Sequence, residues 1–433
     1  MRRVAITGMG ILNSLGQGVP TVWRRLVSGE NGIGRITLFD AKEFRCKVAA
    51  EAREVDGFGI EGRDCYASPS GLRRVSHQNL RRGVSIFLAC AKEAFADSGL
   101  AKSGFDPAAV GVSAGASAAY LDLEAAAEHY QLRRADGCDV DLERFAREGS
   151  QPAHFFVRRT GEVIGCLPAK VLGLRGPTLV MDTACAASGH AIGEAFRLVR
   201  QGRVKAMVAG GACATVCPTA IVYFAILGAL SQNEDPDSAS RPFDRHRDGF
   251  VMGEGGGAVV LEDYEHARAR GARIYAELAG FGSNTCAVNL TDPSADGSIE
   301  QQAMQAALTD GAIAPEEVGF VAAHGTSTPK NDVTESKAIR GLFGARAKNV
   351  LVSSNKGQIG HTLSGASVSN LIAAVKAIED GLVPPTVHLR NPDPECDLDF
   401  VPNQARRARI SAALVNSFAF GGQNAVLAVR AVN

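Results

Sequence analysis

Two stretches far apart in the chain carry one signature, Pro107-Ala-Ala-Val110-Gly111 and Pro315-Glu-Glu-Val318-Gly319. The order of patterns around each is also the same. Val4-Ala-Ile-Thr-Gly8-Met-Gly10 reads as a buried strand into a glycine turn, and Tyr275-Ala-Glu-Leu-Ala-Gly280-Phe-Gly282 mirrors it. The apolar helix predicted over Ser85–Ser98 is matched by one starting at Ser298 and ending near Gly311. Thr178-Leu-Val-Met-Asp-Thr-Ala-Cys185 leads into an amphipathic helix, and Asn349-Val-Leu-Val-Ser-Ser354 leads into a helix near Ser364–Glu379. A chain repeated in this way is constrained to a duplicated α/β fold of two βαβ-type halves, with parallel strands covered by helices. The division predicted is residues 1–262 and 263–433.

The remaining features exclude several functions. With 46 basic and 46 acidic residues, no net field favours nucleic acid or an anionic membrane. The ten cysteines show no C-x-x-C pair or zinc-like spacing, and Cys213-x-x-x-Cys217 is not a ligand pattern. Reduced thiols fit better than a disulfide framework, so a cytoplasmic setting is expected. The longest apolar run, Ile221 to Leu230, is half a membrane span. A further helix is predicted through Thr21–Val27, and Asp56 to Pro69 reads as irregular. The opening glycines do not complete a G-x-G-x-x-G fingerprint, and Gly253-Glu-Gly-Gly-Gly257 suits tight strand packing better than a phosphate cradle.

The reactive residues fall where the repeat places strand ends, the usual location of sites in open α/β sheets. Cys185 follows one strand and precedes a helix with Ala191, Ile192, Ala195, Phe196, Leu198 and Val199 on one face. Unpaired N–H groups at that helix start favour a thiolate and also suit an oxyanion. A buried structural thiol is the alternative. His324, in Val321-Ala-Ala-His324-Gly-Thr-Ser-Thr-Pro329, ends the counterpart strand. Lys356 and His361 follow a third. Two imidazoles and an ammonium near a cysteine suit acyl transfer through a thioester. His77, His129, His154, His246, His266 and His388 read as ordinary core or surface histidines, as does His190.

Taken together, Asp182-Thr-Ala-Cys185-Ala-Ala-Ser, Arg241-Pro-Phe-Asp-Arg-His-Arg-Asp-Gly-Phe-Val-Met-Gly-Glu-Gly, His324-Gly-Thr-Ser-Thr-Pro, Lys356-x4-His361 and Asn416-Ser-Phe-Ala-Phe420-Gly-Gly resemble the β-ketoacyl-acyl-carrier-protein synthases. The match is to the decarboxylating Cys-His-His type and spans nearly the whole chain. It implies a thiolase-like fold in five α-β-α-β-α layers. It also implies a homodimer, or a heterodimer with a ketosynthase-like subunit.

By that resemblance Cys185 is the acyl-accepting nucleophile. His324 and His361 bind the malonyl thioester carbonyl and assist decarboxylation, with Lys356 beside them in an electrostatic or structural role. The N–H groups of Cys185 and Phe420 form the oxyanion hole, and the Phe420 ring is a gate. Thr326, Thr328 and Thr291 contact the phosphopantetheine arm of an acyl carrier protein, so no resident cofactor and no metal are implied. Asp332 and Glu335 are structural partners of this network. Arg73, Arg74, Arg81 and Arg82 offer a basic docking patch for an acidic carrier, or an ordinary solvated face.

The chain also departs from the pattern. Asn370 stands where many members carry a glutamate facing the lysine, and an amide cannot neutralise Lys356. Ala419 replaces a glycine before the gate phenylalanine, where a Cβ is expected to restrict the loop. Asn284 to Thr291 loses an Asp and a His, Gly228 replaces an arginine, and Ala119 to Pro152 is longer and more charged. Within fatty-acid or polyketide-type biosynthesis, these changes lean away from a standard fatty-acid housekeeping enzyme and towards a specialised condensing enzyme of a polyketide-like or unusual acyl pathway. The competing readings are a non-condensing acyltransferase and a non-catalytic partner subunit, which Cys185 argues against. A thiolase acting on coenzyme A would need a second cysteine near the C-terminus, and Cys396 lies away from Phe420-Gly-Gly.

Overall fold

The computed structural model describes residues 1–53, 82–116, 141, 143–144, 147 and 161–432. Its first half contains β1 (Val4–Asn13), α1 (Arg82–Asp97), β2 (Val110–Gly115), α2 (Val163–Leu172), β3 (Thr178–Met181), α3 (Ala187–Arg200), β4 (Ala206–Cys213), α4 (Pro218–Ile226) and β5 (Gly255–Asp263). The second half repeats the sequence of elements with β6 (Ala276–Thr285), α5 (Ser298–Asp310), β7 (Val318–Ala322), α6 (Pro329–Phe343), β8 (Leu351–Ser353), α7 (Ala366–Asp380), β9 (Ala412–Phe418) and β10 (Gln423–Arg430).

Strand order establishes the duplication. The first set runs β3-β2-β4-β5-β1 and the second runs β8-β7-β9-β10-β6, the same order with each label raised by five. In both, the first three strands of that order are parallel and the remaining pairings are antiparallel. The sets meet where Val4–Ile6 pairs antiparallel with Ala276–Leu278. Helices α3 and α7 pack on strands of both sets, α1 and α2 on the first only, and α5 on the outer side of the second, with α6 packed against α5. The result is five layers, α-β-α-β-α.

Glycine spacing makes this stacking possible. The pair Gly8 and Gly10 lies inside β1, so the expected turn is instead continuous strand. A Cβ on Gly8 would stand 2.1 Å from the Ala94 carbonyl, and one on Gly10 2.2 Å from that of Cys90. Gly280 and Gly282 stand in the same relation to α5, at 2.2 Å from Ala307 and 2.1 Å from Ala303. Between each pair the strand N–H is taken by a helix carboxylate: Met9 N donates to Asp97 (3.0 Å) and Phe281 N to Asp310 (3.0 Å). Those donors need a partner, because buried backbone N–H groups are rarely left unpaired.

The central helices differ in how completely they are enclosed. On α3, Ala191, Ile192, Ala195, Phe196 and Val199 are buried as their spacing predicts, while Leu198 is half-buried. Residues Ala366 to Val375 of α7 are all buried, as for a helix between two sheets. Small side chains such as Ala366, Ser367, Ala373 and Ala374 allow that close approach. Burying a side chain the size of Phe196 or Ile192 contributes about 1.5–3 kcal/mol. Gly255–Gly257 lies within β5, where a Cβ on Gly256 would meet Ala212 at 2.4 Å, so this run is strand packing. The predicted helix through Thr21–Val27 spans Val19–Val27. Arg73, Arg74, Arg81, His77, His129, His154 and the irregular stretch to Pro69 lie outside the described residues, as does nearly all of Ala119 to Pro152.

Candidate active site

Three parallel strands and one hairpin strand deliver the reactive groups to one end of the molecule. β3 leads through Asp182-Thr183 into the turn Ala184–Ala186, from which α3 starts. Ala184 has φ 47°, a left-handed conformation disfavoured for a residue with a Cβ. It turns Cys185 into a cavity wall, leaving the side chain 7% exposed. His324 follows β7, and Lys356 and His361 follow β8. His361 is strapped by its backbone, donating to the Val251 carbonyl (2.8 Å) and accepting from Gly253 N (3.0 Å). β9 ends at Phe418, and Ala419-Phe420 follows.

His361 Nε2 lies 3.0 Å from Cys185 Sγ, and the His324 ring meets that of His361 edge-on at 5.4 Å. The N–H groups of Cys185 and Phe420 both face the sulfur. Burial nevertheless pushes the thiol up to about 12, with the Lys356 ammonium pulling it down less strongly. The helix-start argument for a resting thiolate is therefore overturned, because desolvation of the charged form outweighs the N–H groups and dipole. Burial, and next the Lys356 charge, hold both histidines well below their usual pKa. The resting centre is a neutral thiol beside two neutral imidazoles.

Lys356 is 2% exposed and does not line the cavity. Its Nζ donates to the His324 carbonyl (2.5 Å), and burial lowers its pKa to about 8 against the opposing pull of Glu335. Asn370 Nδ2 donates to the neighbouring Ala323 carbonyl (2.9 Å), a bond an ionised glutamate could not make. Glu335 accepts from the N–H groups of His324 (2.8 Å) and Gly325 (2.7 Å) and from Asn416 Nδ2 (2.9 Å). His324 is thus gripped through its backbone from both sides.

The cavity is about 340 Å³ and is lined by Cys185, His324, His361, Phe224, Phe250 and Phe420, among others. Thr291, Thr326 and Thr328 also line it, with the hydroxyls of Thr326 and Thr328 2.8 Å apart. Ala419 has ordinary extended angles (φ −123°, ψ 157°), so its Cβ imposes no backbone strain. Instead the loop is tied across the entrance by Gly421 N to the Leu290 carbonyl and Cys286 N to the Gly422 carbonyl, both 2.7 Å. Arg82 is half-buried, ion-paired with buried Glu254 (3.1 Å) and bonded to the Ala52 carbonyl. His190 bridges Thr183 and Ser283, each 2.9 Å away, and does not line the cavity. Asp332 and Glu335 are fully buried partners of the loop after β7, as expected. The sequence reading missed Arg247, which is 7% exposed and lies behind that same loop. Its signal was the charged run Arg241–Asp248, which gave a family motif but no role.

A duplicated five-layer fold with a cysteine and two histidines at its strand ends defines a thiolase-like acyl-transferring enzyme. The comparisons narrow this class. Residues 1–267 match the model of the β-ketoacyl synthase N-terminal domain, and residues 275–390 that of the C-terminal domain. The chain belongs to the β-ketoacyl synthase family, carbon–carbon bond-forming acyltransferases. It is 39% identical over 431 residues to 3-oxoacyl-[acyl-carrier-protein] synthase 2 of Synechocystis sp., covering 99% of this chain and 98% of that protein. It is 40% identical over 437 residues to the enzyme of the same name from Vibrio harveyi, covering 100% and 99%. Among solved structures it resembles a type II polyketide-synthase ketosynthase bound to the hexaketide and in complex with its acyl-carrier protein, with TM-score 0.86, 32% identity and full coverage of both chains. A β-ketoacyl synthase from Burkholderia phymatum gives TM-score 0.85 at 31% identity, also with full coverage. No helix among the described residues is long and apolar enough to cross a membrane.

Proposed function

We propose that this chain catalyses the decarboxylative condensation of a Cys185-bound acyl group with a malonyl thioester, both delivered by an acyl carrier protein. The observation carrying this reading is the 3.0 Å approach of His361 Nε2 to a buried Cys185 thiol, with His324 completing the same cavity. In the first half-reaction the thiol proton passes to His361 as Sγ attacks the acyl thioester carbonyl. The tetrahedral oxyanion is stabilised by the N–H groups of Cys185 and Phe420. The arm's sulfur leaves with the proton returned from His361.

In the second half-reaction, neutral imidazoles are the required donors. The His324 N–H, and His361 once solvent exchange has given it the Nε2–H tautomer, hold the malonyl carbonyl oxygen as carbon dioxide departs, and the enolate forms against them. Its carbon attacks the Cys185 thioester, forming the new carbon–carbon bond, and the cysteine sulfur leaves as a thiolate that takes one proton from water to restore the thiol. Lys356 acts from behind, through its charge and its grip on the His324 carbonyl. The phosphopantetheine arm belongs to the carrier, and no resident cofactor enters these steps.

The entrance favours a carrier held by apolar contact. Tyr223, Ile226 and Leu227 at the end of α4, and Val288 and Leu290 beyond β6, are between 44% and 80% exposed. Leu227 itself lines the cavity, and the others flank lining residues Gly228 and Thr291. For a dimeric partner, a second copy or a ketosynthase-like subunit, the half-exposed edge strand β3 offers the pairing edge. Asn370, Ala419 and Gly228 favour a specialised acyl substrate over a housekeeping one.

Intact-mass spectrometry of the protein with acyl carrier proteins of varied chain length, followed by malonyl carrier protein, tests the reading. One acyl mass should appear, be absent in Cys185→Ala, and discharge on malonyl addition as a β-ketoacyl product forms. Acylation without discharge would make the chain a non-condensing acyltransferase. The chain lengths accepted test the specialised substrate.

A further inference from the structure

The loop that carries Thr326 and Thr328 is held in an uncommon shape. Ser327, between them, has φ 67°, a conformation that persists only where surrounding contacts enforce it. Here the contacts come from a segment whose residues Arg241 to Asp248 do not line the cavity. Arg241 N donates to Ser327 Oγ (3.0 Å), and Gly249 N to the Ser327 carbonyl (3.1 Å). Arg247 supplies the rest. Its Nε donates to the Thr328 carbonyl (3.0 Å) and its Nη2 to the Pro329 carbonyl (2.9 Å). Its Nη1 donates to the Asp244 carbonyl (2.8 Å) and to Asp393 (2.6 Å), and Asp332 stands 3.5 Å from Nε.

We propose that Arg247 is a positioning residue for arm binding: its guanidinium fixes the carbonyls at the start of α6 and so sets the two threonine hydroxyls in the cavity wall. The geometry suits arginine alone. Four donors in one plane meet four acceptors on three chain segments, whereas a lysine ammonium has three donors at a single point. Asp332 and Asp393 balance the buried charge, and Asp332 also accepts from Phe243 N (2.8 Å). Arg247 therefore touches no substrate and acts through Thr328. The inference rests on the carrier-thioester reading above.

The test is Arg247→Lys, which keeps the charge and loses the fork, compared with wild type, Thr328→Val and the double variant. Arg247→Lys should raise the KM for acyl carrier protein about tenfold, with kcat changed much less. Iodoacetamide alkylation of Cys185, which needs no arm, should stay within about twofold of wild type. The double variant should match Thr328→Val, because one residue acts through the other. Asp393→Asn, milder for folding, should raise KM in the same direction by less. An unchanged KM, an equal fall in kcat and alkylation, or additive effects in the double variant would overturn the proposal. Failure of wild type to accept any carrier-borne acyl group would instead sink the functional reading, and the proposal with it.

Discussion

The turn Ala184–Ala186 in the first half and the turn Leu363–Gly365 in the second occupy the same place in the duplicated fold. Each follows the outermost strand of its set and opens a central helix. Each starts on a non-glycine residue in the left-handed region, φ 47° at Ala184 and 43° at Leu363. The middle residue of the first is Cys185, facing the cavity with His361 beside it. The middle residue of the second is Ser364, fully buried and donating to the Ala212 carbonyl (2.9 Å). The fold thus builds one strained turn twice and turns a thiol into the cavity from only one of them. What separates the two is their surroundings: the second half contributes His324, Lys356 and His361 beyond its strands, and all three converge on the first half's turn.

The sharpest way to break this comparison is exchange at the two turns. Cys185→Ala should abolish acylation, whereas Ser364→Ala should leave acylation detectable at near wild-type level, read by intact mass. A Cys185→Ala/Ser364→Cys protein should take no acyl group, because Ser364 does not line the cavity and points instead at the Ala212 carbonyl. Acylation of that variant would show that the two turns are functionally alike.

Removing either imidazole from the second half comes next. His324→Ala or His361→Ala should cut condensation by about 10²–10⁴-fold, measured as β-ketoacyl product from the preloaded enzyme. Retained condensation would show that the second half does not supply the catalytic groups.

A smaller effect is expected from Lys356. With its pKa lowered to about 8, it is charged below that pH and lowers the Cys185 pKa. Lys356→Met should slow iodoacetamide alkylation about tenfold at pH 7, one pKa unit being a factor of ten in thiolate. As pH rises through 8 the wild-type lysine loses its proton, its pull on the thiol disappears, and the two rates should converge. A ratio independent of pH would refute the electrostatic role.

The smallest effects concern the duplication itself. Gly8→Ala and Gly280→Ala each drive a Cβ into a helix carbonyl and should each cost about 1–3 kcal/mol, with matching falls in Tm. Markedly unequal losses would mean that the two halves do not share one packing solution.

Much of this was legible in sequence because it was local or periodic. The repeat of Pro-x-x-Val-Gly, the paired glycines and the helix periodicities are set by neighbouring residues, and they sufficed for two α/β halves. Cys185, His324 and His361 were legible because each follows a strand pattern, and the resemblance of their motifs supplied the roles. The glycine turn at Gly8 was misread because a glycine that admits a helix looks, in sequence, like one that permits a bend. Arg247 was missed because its partners lie at Thr328, Pro329, Asp244 and Asp393, and no local pattern joins those segments.

The protonation of the centre belongs to tertiary structure. A cysteine at a helix start suggests a thiolate, and only burial by both halves makes it a thiol with a pKa near 12. Burial likewise keeps both histidines neutral and brings Lys356 to about 8. Asn370, which by sequence left Lys356 without a counter-charge, proves to be a donor to the strand end that carries His324. Sequence determined which residues are candidates for the chemistry, since residue type and local spacing are written in the chain. Tertiary structure decided their charge state and mutual reach, because desolvation and contact depend on what the rest of the chain packs around them.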